Sequence, residues 1–130
     1  MKKINWGIIG LGEIASKFAD GFKYSENATL MGIASNDSNK IKKFKENYNI
    51  SEKYCYDNYE NLINDNEIDK IYIALPTSLH LEWIIISLKA GKRVLVEKPA
   101  TINLIEIQKN NNLLDKNEIF FAEGFMYRFH

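Results

Sequence analysis

The sequence predicts a doubly wound α/β fold, in which helices cover both faces of a parallel sheet to give three layers. Short β-branched or aromatic runs alternate with longer stretches whose apolar residues recur every three or four positions. The first run, Ile4–Ile9, is almost continuously apolar, which is typical of a central strand covered on both faces. Glycines at positions 10 and 12 then turn the chain, as expected where such a strand passes into a helix.

Each strand predicted in the first half of the chain is followed by a helix. Residues 13–22 place their apolar side chains on one helical face, which predicts the first helix. The second strand is expected at 29–34. Ser38 is expected to cap the second helix, in which Phe44 and Tyr48 face the sheet and a run of lysines faces solvent.

The same alternation continues to the end of the sequence. A glycine at position 91 is expected to end the fourth helix, because glycine is favoured just past a helix C-terminus. The tail 124–130 is expected to leave the sheet. The expected bounds are a third strand at 53–56, a brief helix capped by Asp57 and ending near Ile63, a fourth strand at 71–75, a helix at 79–90, a fifth strand at 93–96, a helix at 101–114 and a sixth strand at 119–122.

Composition limits the functions that the chain can have. Its 130 residues correspond to one domain, expected over 1–130. Seventeen Lys and Arg balance seventeen Asp and Glu, so nucleic-acid binding and attraction to an anionic membrane surface are not expected. No apolar run approaches the roughly 20 residues that span a bilayer. A single cysteine, Cys55, excludes an intrachain disulfide and a multi-cysteine metal site, so a reducing cytoplasm fits and no metal is expected; Cys55 is expected to be buried rather than reactive.

The first turn carries a dinucleotide-binding fingerprint. Gly10, Leu11, Gly12, Glu13, Ile14 and Ala15 follow a strand and open a helix, with Ala in the third small position. Gly10 permits the tight turn, Gly12 lets the backbone approach a pyrophosphate, and Ala15 lets the helix pack on the strand. The helix N-terminus supplies free N–H groups and a partial positive charge. Two alternatives remain open, a glycine turn without a ligand and the nucleotide pocket of a methyltransferase.

The end of the second strand is where an acid would bind a ribose 2′-hydroxyl. Here Ser35 is expected at the position that reads the ribose, followed by Asn36 and Asp37, so no acid stands at the expected place. With Lys40 in the first turn of the next helix, the balance leans to NADP and leaves NAD open. The alternative is that Asn36 and Asp37 only form the turn and cap the helix.

Two further segments follow strands at the expected ligand edge. Glu97, Lys98 and Pro99 come directly after the fifth strand. A lysine placed there could donate to a substrate hydroxyl and favour its deprotonation, with Glu97 orienting it or balancing its charge. His80 follows the fourth strand, where it could touch a nicotinamide or serve in packing; the sequence alone favours packing.

Four segments in chain order resemble the Gfo/Idh/MocA family of glucose-fructose oxidoreductase and inositol dehydrogenase, namely 7–15, 74–80, 96–99 and 123–130. The resemblance implies an N-terminal NAD(P)-binding Rossmann domain of an oxidoreductase that moves hydride between a nicotinamide and a sugar, cyclitol or diol hydroxyl. It further implies that Lys98 assists proton transfer at the substrate. Residues Leu75, Pro76, Thr77 and His80 would border the nicotinamide side, and Glu97 and Lys98 would also lie at the cofactor.

Two departures from the family pattern affect these expectations. Asn36 stands where NADP-using relatives commonly have an arginine. Relatives also continue into a C-terminal α/β domain that supplies most of the substrate pocket, so this chain is expected to bind the dinucleotide with little or no turnover alone, and to use a polyol or sugar if that domain is supplied. A stand-alone dinucleotide-binding or redox-sensing module is the alternative. Self-association is expected through Phe125, Tyr127 and Phe129.

Overall fold

The computed structural model describes residues 2–97 and 119–122. Within this part of the chain, six strands form one parallel sheet in the order β3-β2-β1-β4-β5-β6. The strand order reverses between β1 and β4, which is where a doubly wound sheet opens a ligand crevice at its carboxyl edge. The strands are β1 Ile4–Ile9, β2 Ala28–Ala34, β3 Cys55–Tyr56, β4 Lys70–Ile73, β5 Arg93–Glu97 and β6 Ile119–Ala122.

The helices of the described part lie on both faces of this sheet. Two separate apolar clusters show it: one joins α1 and α2 to the sheet, and the other joins α3 and α4 to it. Neighbouring residues of β1 alternate between the clusters, Ile8 in the first and Ile9 in the second, and both are fully buried. The predicted three-layer fold is therefore confirmed. The helices are α1 Glu13–Asp20, α2 Ser38–Tyr48, α3 Tyr59–Ile63 and α4 His80–Lys89, with 3₁₀ turns at Gly21–Tyr24, Glu52–Tyr54 and Thr77–Leu79.

Close packing around β1 depends on small and aromatic residues. A Cβ on Gly7 would lie 2.6 Å from Cδ2 of Leu62, so the glycine lets α3 approach the sheet. On the opposite face, the ring of Phe18 stacks on that of Tyr72 with centroids 3.9 Å apart. A Cβ on Gly32 of β2 would lie 3.2 Å from Cδ1 of the same leucine, so α3 packs over both β1 and β2.

Several predicted boundaries were wrong, and the helix caps explain two of them. Asp37, not Ser38, caps α2, because its carboxylate accepts from the N–H groups of Asn39 (2.9 Å) and Lys40. Asn58, not Asp57, caps α3 through its side-chain oxygen. In both cases the capping residue has the extended backbone that lets its side chain reach the first turn.

The other differences in boundaries concern strand and helix ends. The first helix ends at Asp20, and Phe22 lies in a 3₁₀ turn. Residue 53 also lies in a 3₁₀ turn, so β3 is shorter than expected. Leu75 lies beyond the end of β4, and α4 begins only at His80, after a 3₁₀ turn. The helix expected at 101–114 and the tail 124–130 lie outside the described residues.

Asp65 holds the loop between α3 and β4. Its carboxylate accepts a hydrogen bond from the hydroxyl of Tyr56, and its carbonyl accepts one from Nζ of Lys92 at 2.7 Å. Lys92 also donates to the carbonyl of Ile68. Burial lowers the pKa of Lys92, since removing the ammonium from water disfavours its charge. These bonds tie the edge strand β3 to the start of β5.

We expect Tyr56→Phe to make the free energy of unfolding less sensitive to alkaline pH. Burial and the hydrogen bond to Asp65 raise the pKa of Tyr56 above the ordinary 10.0. The unfolded chain ionises first, so this stabilisation is complete below pH 10.0 and is lost as the pH rises above it towards the folded-state pKa. Urea unfolding at about pH 8 and about pH 11 measures the difference.

The control for this prediction is Tyr24→Phe, because Tyr24 is 88% exposed. It should lose as much stability between the two pH values as the wild type. Equal losses for wild type and Tyr56→Phe would contradict the prediction.

Candidate functional site

The glycine turn lies at the carboxyl edge of the sheet, between β1 and β4. Gly10 has φ +91°, a conformation that side chains other than glycine rarely adopt. Its N–H donates to the carbonyl of Ala34 at 3.0 Å, and a Cβ there would lie 2.7 Å from the carbonyl oxygen of Ala74. The turn is therefore held between the ends of β2 and β4, as the expected tight turn requires.

Helix α1 begins at this turn without a side-chain cap. Gly12 is its N-terminal cap residue and has no side chain that could accept from the first-turn N–H groups. A Cβ built on Gly12 would meet no described atom within 4 Å, so the space directly above the helix N-terminus is open. Free N–H groups and a positive helix end favour an anion in that space. This cradle fits the pyrophosphate of a nicotinamide dinucleotide.

The remaining fingerprint residues divide between core and surface. Leu11 and Ala15 are buried in the cluster that packs α1 on the sheet. Glu13 is exposed, and Ile14 is 37% exposed. Leu79, on the 3₁₀ turn after β4, is 36% exposed. Two large apolar side chains thus remain accessible on segments that follow β1 and β4 at the ligand edge.

After β2, the exposed side chain is Asn36 and not Ser35, which was expected to bind the ribose. Ser35 is buried, and its hydroxyl accepts from the N–H of Asp37 at 3.0 Å. The Asp37 carboxylate faces the N-terminus of α2, which it caps. Asn36 is exposed instead, and Lys40 is exposed in the first turn of α2. The alternative hypothesis was that Asn36 and Asp37 only form the turn and cap α2. Asp37 does cap the helix, but Asn36 takes no part in the cap.

The segment after β4 is fixed by His80. Nε2 of His80 lies 2.7 Å from the carbonyl oxygen of Leu75, which can only accept, so this nitrogen carries the proton. His80 is buried, and its Nδ1 has no partner among the described residues. Leu75 is also buried, whereas Pro76 and Thr77 are exposed at the crevice. His80 therefore stabilises the conformation of residues 75–80 from the buried side of this segment.

The structure places only part of the expected Glu-Lys-Pro segment. Glu97 is the last residue of β5 and pairs with Ala122 of β6, at the same carboxyl edge as the glycine turn. Lys98 and Pro99 lie outside the described residues, as do Phe125, Tyr127 and Phe129. The role of Lys98 and self-association through the aromatic residues stay predictions.

Sequence reasoning missed a recess beside Asn36. It has a volume of about 430 Å³ and lies where the ends of β2 and β3 meet α3 and α4. The ring of Tyr59 meets that of Trp83 edge-on, with centroids 5.0 Å apart, and Nδ2 of Asn36 donates to the Tyr59 hydroxyl at 3.5 Å. These aromatic residues come from separate helices, so no local pattern could have paired them. The lining residues are Asn36, Asn58, Tyr59, Glu60, Asn61 and Trp83.

Other reactive chemistry is limited in the described part of the chain. Cys55 is half-buried, and burial followed by the charge of Glu52 raises the pKa of its thiol, which disfavours the reactive thiolate. No group of three or more His, Cys, Asp or Glu side chains is placed to hold a metal among residues 2–97 and 119–122. No helix in the same range is both long and apolar enough to cross a membrane.

Comparison with known proteins decides the family. The Gfo/Idh/MocA family model, described as an oxidoreductase family with an NAD-binding Rossmann fold, matches residues 4–125. The chain belongs to the Gfo/Idh/MocA family. The resemblance in the four sequence segments is thereby confirmed, and so is the Rossmann fold.

Relatives in the Gfo/Idh/MocA family include enzymes for several hydroxyl compounds. The chain is 32% identical to trans-1,2-dihydrobenzene-1,2-diol dehydrogenase of Xenopus tropicalis, over 95% of its own length and 38% of the relative's. It is 31% identical to myo-inositol 2-dehydrogenase of Thermotoga maritima, over 95% and 36%. A solved 3-ketoreductase from Actinomadura kijaniata, in complex with NADP and TDP-benzene, matches with a TM-score of 0.82 and 28% identity over 99% of this chain and 39% of that one. The chain thus spans less than half the length of these relatives.

Proposed function

We propose that the protein is an NAD(P)-dependent oxidoreductase acting on a hydroxyl group of a sugar, cyclitol or diol, and that this chain is its dinucleotide-binding domain. The observation that carries the proposal is the cradle at α1, formed by the positive φ of Gly10 and the open space above Gly12. A further domain would hold the substrate, since orientation at near-attack distance lowers a barrier by about 7–11 kcal/mol. Relatives that act on diols and inositol support the substrate class.

We propose that the dinucleotide is preferentially NADP. An acid that would repel a 2′-phosphate is missing from the exposed position past β2, where Asn36 stands. The nearest carboxylate, Asp37, is bonded to the N-terminus of α2, which offsets its charge. The exposed ammonium of Lys40 lies one helical turn further on and favours a phosphate. The buried Ser35 hydroxyl would stabilise the turn through its bond to the N–H of Asp37. Ser35 would contact the ribose only through its backbone.

The nicotinamide, when bound, accepts or donates the hydride. The chain's own residues would bind and orient it: first-turn N–H groups of α1 hold the pyrophosphate, and Ile14 offers an apolar contact at the crevice. The segment Leu75–Pro76–Thr77, fixed by His80, would border the nicotinamide side. Lys98 would hold the substrate hydroxyl and favour its deprotonation, with Glu97 orienting the ammonium.

We expect thermal unfolding to respond to the dinucleotide. A ligand present at 100 times its Kd stabilises the folded state by about 2.7 kcal/mol, which raises Tm visibly. Tm should rise with NADPH and with NADH, and more with NADPH at equal concentration. ATP at the same concentration is the control for non-specific phosphate binding. Equal Tm values with and without both dinucleotides would overturn the proposed function.

A second candidate is a stand-alone dinucleotide-binding or redox-sensing module. It is favoured by the fact that the contacts that shape the cradle, from Ala34 and Ala74 to Gly10, all lie within residues 2–97. Oxidation of a polyol or aldose, followed by NAD(P)H absorbance, separates the two candidates, because a module without catalysis binds the dinucleotide but turns nothing over.

We propose that the protein is cytoplasmic, in keeping with its single, half-buried cysteine.

A further inference from the structure

The exposed side chain in the turn after β2 has a hydrogen-bond partner on helix α3. Of the three residues that follow β2, Ser35 and Asp37 are engaged in the turn and in the cap of α2. Asn36 is exposed and directs its Nδ2 to the hydroxyl of Tyr59, 3.5 Å away. The residue best placed to meet the ribose 2′ position is therefore restrained from outside its own turn.

Tyr59 is well held for such a role. It is the first residue of α3, and its ring meets Trp83 of α4 at 90° with centroids 5.0 Å apart. Both rings pack against the apolar cluster beneath α3 and α4. The hydroxyl oxygen of Tyr59 accepts from Nδ2 of Asn36, and burial raises the pKa of Tyr59, which further favours the neutral phenol. The hydroxyl thus has a fixed place at the wall of the recess.

The direction of the effect follows from the chemistry of the two ligands. A 2′-phosphate presents only acceptor oxygens and benefits from every N–H group that Asn36 can supply. A ribose 2′-hydroxyl both donates and accepts, so it can pair with either end of the amide. When one N–H of the Asn36 amide is bonded to Tyr59, the other N–H and the carbonyl oxygen can still pair with a 2′-hydroxyl. A 2′-phosphate, which only accepts, loses one of the two available donors.

We propose that Tyr59 is a specificity-determining residue that acts through Asn36 and limits the preference of this site for NADP over NAD. The inference rests on the proposed function, because it concerns the adenosine end of the same dinucleotide. Tyr59 is a positioning residue in this account and need not touch the cofactor. It makes the choice of cofactor depend on α3, which is distant in sequence from the glycine fingerprint.

The test is Tyr59→Phe, which keeps the ring contact with Trp83 and removes only the hydroxyl. Kd values for NADPH and NADH are measured by titration, and their ratio is the readout. We expect the preference for NADPH to increase by about 2- to 3-fold, the low end of the range for one hydrogen bond, because the bond is long and exposed. The same substitution in an Asn36→Ala background should change the ratio by less than about 1.5-fold, because the residue through which Tyr59 acts is gone.

The matched control is Tyr54→Phe, because the Tyr54 hydroxyl donates to Glu67 at 2.7 Å, whereas Asn36 donates to Tyr59. It should leave the ratio unchanged. An unchanged ratio in Tyr59→Phe, an equal loss of both affinities, or the same shift in the Asn36→Ala background would overturn the inference while the proposed function stands. A wild-type protein that binds neither dinucleotide would overturn both.

Discussion

Gly12→Ala should lower the affinity for NADPH by about tenfold or more, with the free energy of unfolding within about 1 kcal/mol of wild type. A Cβ at Gly12 meets no described atom within 4 Å, so the folded chain accommodates it without strain. The methyl group would enter the open space above the N-terminus of α1, which the pyrophosphate must approach closely to bond to the backbone N–H groups. Titration and urea unfolding measure the two effects separately.

Substitutions at two other glycines serve as comparisons for this prediction. Gly10→Ala should destabilise the fold itself by about 1–3 kcal/mol or more, because its φ is +91° and the new Cβ would lie 2.7 Å from the Ala74 carbonyl oxygen. Gly21→Ala should change neither binding nor stability appreciably, since Gly21 has φ −66° and open space around it. Wild-type affinity in Gly12→Ala would show that the pyrophosphate does not bind at α1.

In a protein that joins this domain to the proposed substrate domain, Lys98→Met should lower kcat by about 10²- to 10⁴-fold and change the Kd for NADPH by less than about twofold. That range is typical of removing a group that assists proton transfer. The sequence places Lys98 directly after β5, whose last residue Glu97 stands at the same sheet edge as the glycine turn. Since the proposed pyrophosphate site is the glycine turn at α1 and not Lys98, losing the ammonium should affect the reacting hydroxyl and spare cofactor binding.

Lys89→Met is the matched control, because Lys89 is exposed at the far end of α4. It should retain the wild-type kcat. Single-turnover hydride transfer, followed by NADPH absorbance, separates the chemical step from product release. If Lys98→Met kept kcat within about fivefold of wild type, another group would have to assist proton transfer.

The sequence predicted the layers of the fold because burial leaves a direct pattern. The continuous apolar run of β1 was placed to the residue, and its two-sided burial explains that success. Helix starts were less accurate, since Asp37 and Ser38 are both good caps and only the backbone conformation selects between them. Strand alternation likewise could not decide whether Ser35 or Asn36 would be exposed beyond the end of β2.

The recess beside Asn36 could not be predicted from the sequence, for a different reason. Tyr59 and Trp83 meet only when α3 and α4 pack side by side on one face of the sheet. Each residue alone has the appearance of an ordinary apolar position on an amphipathic helix. The fingerprint, in contrast, is a local motif, and its turn could be predicted from neighbouring residues alone.

In the turn after β2, the residues that hold the backbone differ from the one proposed to meet the ribose, and this affects how the protein can evolve. Ser35 and Asp37 hold the backbone, while Asn36 between them is exposed and makes one long hydrogen bond. Mutations at position 36 therefore meet little selection for stability and can be tested by selection for cofactor use. A lineage could move between the two dinucleotide pools of the cell by changing a single codon, without first acquiring a compensating mutation in the core.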